Sequence, residues 1–235
     1  MSTPVNEKFA EWTDGLNTRE SMVSIFEHVR DIPFSIPSDP GMYDPATAPD
    51  LILQWGCGSC TAKHFLLSGM YRKLNTNVVF ATFAFLWNDP VLHYPPDLRV
   101  FAARLPVAYH LACRVQVGCR WVLVDATWDR PLRHAGFPVN LHWDGSSEMR
   151  CAVRPLKAPV RTAFCRTLSN GPCRDDDGAG LCQVDGEKDY WVAGDAVRSL
   201  REQVPLRTTE EGGLLAEFYR TFNEWLKKVR ASARD

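Results

Sequence analysis

The chain has 235 residues, enough for one domain with a sizeable core, and it is 45% hydrophobic, 23% charged and 11% aromatic, which excludes a disordered chain. Its 27 basic and 28 acidic side chains give a formal net charge of -1, so no surplus of Lys and Arg is present to hold nucleic acid by bulk charge. No apolar run reaches the ~20 residues of a membrane span. The segment from Met1 to Lys8 has no apolar signal core, so the expected setting is cytoplasmic, with the eight cysteines as reduced thiols.

The first segment, about 5–30, reads as helical. Asn17 and Glu20 form a capping box ahead of Met22, Ile25, Phe26 and Val29, which recur at helical spacing. Residues 31–49 carry five prolines and read as a surface strap. Gln54 to Ser59 reads as a tight, glycine-containing approach to a second helix, about Cys60 to Leu74, with Phe65, Leu66, Gly69, Met70 and Leu74 available to pack. Val78 to Leu86 is a strand rich in Val, Phe and Thr. Tyr109–Val117 and Arg120–Thr127 are two strands joined at Gly118-Cys119, where a leading glycine suits a type II′ turn. Asp129 to Ser147 is irregular, and Cys165 to Lys188 is a polar, glycine-rich loop. Thr208 to Asp235 is a helix that Thr208 and Glu211 can cap, with an apolar stripe of Leu215, Phe218, Tyr219, Phe222, Leu226 and Val229. No repeat or linker divides the chain, so 1–235 is expected to be one domain, with its core at about 50–160 and a C-terminal helix at about 208–232.

Cys60 is the first candidate for chemistry. Ser59 is a good N-cap, which sets Cys60 in the first turn of its helix. There the helix dipole and free N–H groups favour the thiolate, which is the nucleophilic form. The hairpin supplies its partners. With Gly118-Cys119 as the turn, Val117 pairs with Arg120, so Ala112 faces Asp125 and His110 faces Thr127. His110 and Asp125 are then diagonal neighbours on one sheet face, ~7–8 Å apart at the backbone. Arg114, Gln116, Trp121 and Leu123 share that face. The opposite face, with Leu111, Cys113, Val115, Val117, Val122, Val124 and Ala126, is wholly apolar and must be core. The expected roles are Cys60 as nucleophile, His110 as base and then acid, and Asp125 as the group that orients the imidazole.

Other signals are weaker. His64 follows Cys60 by one helical turn but has no orienting carboxylate nearby in sequence, so it reads as structural. Cys57 and Cys60 form a C-x-x-C that suggests redox chemistry or zinc, but no second well-spaced pair completes a zinc site among Cys113, Cys119, Cys165, Cys173 and Cys182. No metal is expected. Cys113, Cys119, Cys151 and Cys165 read as small hydrophobes among apolar neighbours. The acidic run Asp175-Asp176-Asp177-Gly178 does not fit a calcium loop, because Cys173 and Val184 fall at its first and last ligand positions. His134, His142 and Asp144 receive no role.

The segment Gly58-Ser59-Cys60-Thr61-Ala62-Lys63-His64-Phe65-Leu66-Leu67 resembles the nucleophile segment of transglutaminase-like proteins, where Gly-x-Cys opens a helix. His110 and the strand Arg120-Trp121-Val122-Leu123-Val124-Asp125-Ala126-Thr127 resemble that family's histidine strand and its Trp-Val-x-x-Asp-Pro-Thr strand. Ala126 stands where proline is common, and Leu111-Ala112 replaces the aromatic residue that often follows the histidine. The resemblance covers roughly Gln54 to Trp128. It implies an α+β, papain-like core: a helix with an N-terminal cysteine packed on an antiparallel sheet that carries the other two residues, with extra N- and C-terminal helices. Cys57-Gly58-Ser59-Cys60, with Gln54 six residues before the cysteine, also matches the papain nucleophile signature. Thr61 and the short spacing to His110 set the chain apart from papain itself. That echo suggests the Gln54 amide and the Cys60 N–H as an oxyanion hole.

The expectation is a cysteine-dependent acyl-transfer enzyme, hydrolase or acyltransferase, that forms a thioester from an amide or ester of a peptide, protein or small molecule. It needs no cofactor and no nucleic-acid or membrane partner. The alternatives are a non-enzymatic binding or scaffold module on the same fold, and a zinc-binding domain using Cys57 and Cys60.

Overall fold

The computed structural model describes residues 3–156, 190–191 and 209–233. Helix α1 (Pro4–Thr13) begins where the Thr3 side chain accepts the Asn6 N–H, with Pro4 in its first turn. Helix α2 (Thr18–Asp31) has the expected capping box between Asn17 and Glu20 and buries Met22, Ile25, Phe26 and Val29. The strap that follows contains a 3-10 turn, Pro40–Tyr43, and ends earlier than its prolines suggested. Helix α3 (Ala48–Trp55) begins inside it, because Pro49 sits in the first turn, where its missing N–H has no consequence. Gly56 ends α3 in the left-handed region at φ 65°.

Helix α4 (Cys60–Lys73) is the centre of the molecule. It buries residues on every side, including Ala62, Phe65, Leu66, Met70 and Tyr71, so it has no single apolar stripe. Strand β1 (Val78–Phe85) pairs with β2 (Ala108–Val117), and β2 pairs with β3 (Arg120–Val124), all antiparallel. The two-residue β4 (Tyr190–Trp191) adds to the other edge of β1, giving the order β3-β2-β1-β4. The fold is therefore α+β. Helix α5 (Pro96–Arg104) interrupts the path between β1 and β2. It is only 9 residues long and bounded by prolines, so its periodicity is too brief to read from sequence.

The hairpin register runs from Val117↔Arg120 to Cys113↔Val124, as the turn chemistry requires. Gly118 has φ 60° and Cys119 is not in the positive region, which matches a type II′ turn. The face with Leu111, Cys113, Val115, Val122, Val124 and Ala126 packs into one core with α2, α3 and α4. β3 stops three residues sooner than expected. Beyond Val124 the backbone finds side-chain acceptors in place of a neighbouring strand: Ala126 N–H donates to His64, and Thr127 N–H to the Asp125 carboxylate.

A second core lies beyond the end of the sheet. Here α6 (Thr209–Ser232) buries Leu215, Phe218, Phe222 and Leu226 against aromatic residues of the strap, of the segment after β1 and of the segment after β3. Polar clamps fix the helix. Asn223 exchanges two hydrogen bonds of 2.9 Å with the backbone of Ile36. Arg230 grips both oxygens of Asp129 at 2.7 and 2.8 Å and donates to the Phe34 carbonyl at 2.7 Å. Cys119 is a correction to the reading of buried thiols, since the turn exposes it; Cys113 is buried and Cys151 half-buried. Cys165, Cys173 and Cys182, the acidic run and the cap at Thr208 lie outside the described residues. Among the described residues no helix is long and apolar enough to cross a membrane.

Candidate active site

Cys60 is held where three segments meet. Gly58 donates to the Pro33 carbonyl and accepts from the Ser35 N–H, so the strap runs as a short parallel bridge against the residues before the cysteine. A Cβ at Gly58 would lie 2.6 Å from Ile52 Cδ1, which explains a glycine at this crossing. Ser59 has the extended backbone of an N-cap, yet its hydroxyl makes no capping bond. Cys60 therefore occupies the first helical position, where its own N–H has no intrahelical acceptor.

His110 lies on β2 opposite Phe83 and is buried. Its Nε2 bonds Asp125 Oδ2 at 2.8 Å, which leaves Nδ1 for Cys60. Asp125 is firmly held: Oδ1 accepts from the Thr127 hydroxyl at 2.6 Å and Oδ2 from the Ala152 N–H at 2.7 Å. The charges are mutually supporting. Burial alone would raise the Cys60 thiol, but the hydrogen bond and charge of His110 and a hydrogen bond from the Leu111 backbone bring it below its usual range. Burial would lower His110, and the Asp125 carboxylate beside it outweighs that and holds it well above 6.5. Asp125 is in turn held well below the usual carboxylate range; burial opposes ionisation, and the charge and hydrogen bond of His110 overcome it. Each of the three groups is thus shifted toward its charged form by its neighbours.

His64 has the opposite fate. Its Nδ1 donates to the Cys60 carbonyl at 2.8 Å, and its Nε2 accepts the Ala126 N–H at 3.1 Å, which fixes a neutral ring. Burial lowers it to about 4, against the pull of Asp125. It is a brace between α4 and the end of β3, as its sequence context suggested. Lys63 is a second brace. Its buried ammonium donates to the carbonyls of Arg30, Ile32 and Thr127 at 2.7–2.8 Å, and burial lowers it to about 7.

A cavity of about 830 Å³ opens on Cys60 and His110. Its walls come from the strap, the ends of β1 and β2, the residues after β3, and Tyr219 of α6. Gln54 is not among them. Because α3 continues through Trp55, Gln54 is carried on the exposed side of a helix, so the expected oxyanion role does not fit its position. The Cys60 N–H remains as the donor of that pair.

No protein-family model, curated protein or solved structure matches this chain.

Among the described residues the one trio of possible metal ligands is His110, Asp125 and Cys151, with ligand atoms within 4.8 Å of each other. Both Asp125 oxygens are already engaged by N–H and O–H donors, and burial pushes the Cys151 thiol up to about 11. Cys57 does not belong to this group, which leaves the C-x-x-C zinc reading without a cluster among the described residues. Sequence reasoning brought Cys60, His110 and Asp125 together. It missed Thr127, whose position two residues after the aspartate is a recognisable short-range signal for a hydroxyl–carboxylate bond. It also missed Lys63 and the cavity walls, which depend on contacts distant in sequence.

Proposed function

We propose that the protein is a cysteine-dependent acyl-transfer enzyme of transglutaminase-like type, built on a papain-like helix-on-sheet core. The observation that carries this reading is that Cys60 and His110 open on one cavity while the buried Asp125 carboxylate bonds the far nitrogen of the His110 ring at 2.8 Å. The Cys60 thiolate adds to the carbonyl carbon of an amide or ester. The Cys60 N–H stabilises the oxyanion, a contact of a kind worth ~3–4 kcal/mol. His110, protonated at Nδ1, gives that proton to the departing amine or alcohol as the carbon–nitrogen or carbon–oxygen bond breaks, leaving a thioester. Water or an amine then attacks the thioester; Nδ1 takes its proton, and the Cys60 thiolate is released with the product acid or amide. Asp125 fixes the ring through Nε2 and stabilises the imidazolium.

Cys60→Ala and His110→Ala should each abolish turnover, and intact-mass measurement of the wild-type protein with an activated acyl donor should show one adduct located at Cys60. Full turnover by Cys60→Ala would end this reading. Iodoacetamide at neutral pH separates it from a binding module on the same fold: an activated thiol labels Cys60 ahead of the other seven cysteines.

A further inference from the structure

Two buried imidazoles lie against one buried carboxylate. His110 bonds Asp125 Oδ2 at 2.8 Å, and His64 Nε2 stands 3.7 Å from Asp125 Oδ1. The two rings meet edge to face, with 6.0 Å between centroids. The relay proposed above, from Cys60 through His110 to Asp125, uses one of them. The carboxylate is already fully engaged. Oδ2 receives the His110 ring and the Ala152 N–H, and Oδ1 receives the Thr127 hydroxyl at 2.6 Å and the Thr127 N–H at 3.2 Å. These donors match the roughly four lone-pair sites of an ionised carboxylate.

His64 is turned away from Asp125 by the backbone. The Ala126 N–H donates to Nε2 at 3.1 Å, so that nitrogen keeps its lone pair and the ring proton sits on Nδ1, which donates to the Cys60 carbonyl at 2.8 Å. A proton on Nε2 would face the Ala126 N–H donor to donor and set a second positive ring beside His110. Burial opposes a charge on this ring, as do His110 from β2 and Lys63 on α4; Asp125 at the end of β3 and the Cys60 carbonyl favour one. The Cys113 thiol of β2, which burial keeps neutral, reaches the His64 carbonyl.

The same two bonds join the nucleophile to the carboxylate segment. His64 links the Cys60 carbonyl to the amide that follows Asp125, and Lys63, one residue earlier, donates to the Thr127 carbonyl at 2.7 Å. Consecutive residues of α4 thus grip consecutive residues after Asp125, and Thr127 in turn holds the carboxylate. A shift of this segment would draw the carboxylate off the His110 ring while leaving Cys60 and His110 in place. Resting on the acyl-transfer reading above, we propose that His64 is a positioning residue of the reaction: through Ala126 it fixes the segment that carries Asp125, and by keeping Nε2 unprotonated it reserves that carboxylate for His110. Its effect reaches the Cys60 sulfur through Asp125 and His110.

The rate of Cys60 alkylation by iodoacetamide as a function of pH, followed by intact mass and peptide mapping, reads the thiolate without an acyl donor. Two substitutions divide the two bonds of the ring. In His64→Gln the side-chain oxygen reaches the Nε2 position and still accepts the Ala126 N–H. In His64→Asn the shorter amide can still donate to the Cys60 carbonyl and falls short of Ala126. His64→Gln should label within about 3-fold of the wild type, half a unit in the thiol's pKa. His64→Asn should label about 10-fold more slowly near pH 6, a rise of one unit. A merely structural role would lower the urea midpoints of both variants and leave the profiles of the folded proteins alike. Wild-type labelling by His64→Asn would overturn the inference and leave the acyl-transfer reading intact, as would His64→Gln labelling as slowly as His64→Asn. Should His64→Asn fail to fold, the ring-nitrogen NMR spectrum of the wild-type protein at neutral pH decides. A neutral His64 with its proton on Nδ1 supports the inference, and a charged ring or a proton on Nε2 overturns it. A wild-type Cys60 that labels no faster than the other cysteines would overturn the acyl-transfer reading and this inference with it.

Discussion

The two cores of this molecule are built in different ways and do different work. The first, between α4 and the apolar face of the β2–β3 hairpin, is largely aliphatic and follows local periodicity. It holds the relay by short backbone and side-chain bonds, so its groups have little freedom. The second, between the strap, the end of β1 and α6, is largely aromatic and joins residues as far apart as Ile36 and Asn223. It supplies much of the wall of the cavity that opens on Cys60. The contrast teaches that two separate packing units meet at Cys60, which belongs to a helix of the first and packs on the second; on the acyl-transfer proposal the first would carry reactivity and the second selectivity.

The comparison can be broken most severely at the relay. Asp125→Asn should lower turnover by ~10³–10⁴, because the ring loses both its orientation and the carboxylate that keeps it protonated. The pH profile carries the sign. In the wild type the acid limb belongs to Cys60, lowered from its usual range, and the alkaline limb to His110, raised from its usual range. Without the carboxylate, burial pulls His110 down and the thiolate loses its cationic partner. The alkaline limb should then move to lower pH and the acid limb to higher pH, narrowing the profile. An unchanged width would show that Asp125 does not set the ring's charge.

Acid should attack the first core next. His64 is held near 4 when folded and takes a proton near 6.5 when unfolded. The unfolded chain thus binds more protons between those values, and stability falls as pH drops through that window by about 3 kcal/mol. The depressed Asp125 carboxylate acts in the same direction below about pH 4. The His110 contribution is complete below 6.5 and is lost only as pH rises through its raised value, so it does not mask the acid loss. Urea unfolding between pH 7 and 4 measures the effect, and His64→Gln should flatten it.

In the second core, Arg230→Ala leaves the buried Asp129 carboxylate without its partner and should cost about 2–3 kcal/mol, since Arg230 keeps some solvent exposure. Its effect on catalysis should fall on KM with kcat nearly unchanged. Asn223→Ala, which frees the Ile36 backbone at a partly buried site, should cost about 1 kcal/mol with the same pattern. A larger loss in kcat than in KM for either variant would contradict the separation of the two cores.

What was legible in the sequence follows the same division. The capping box of α2, the hairpin register and the three relay residues rest on spacings of a few residues and on one turn type, and these leave a local mark. β3 was overextended because Ala126 and Thr127 satisfy their N–H groups with side chains of His64 and Asp125, while their residue types still favour a strand. Gln54 was misplaced because α3 starts inside a proline-rich segment and carries it away from the cysteine. Lys63 left no readable mark: a lysine on a helix normally faces water, and here three carbonyls, two at the end of α2 and one after β3, receive it.

The reach of the α6 clamps has a consequence for biosynthesis. Cys60, His110 and Asp125 are all translated by residue 125, while the arginine that pins Phe34 and Asp129 arrives more than a hundred residues later. A growing chain thus carries these three residues well before α6 can complete the core that borders their cavity. On the acyl-transfer proposal, the Cys60 thiol would spend that interval without its finished walls.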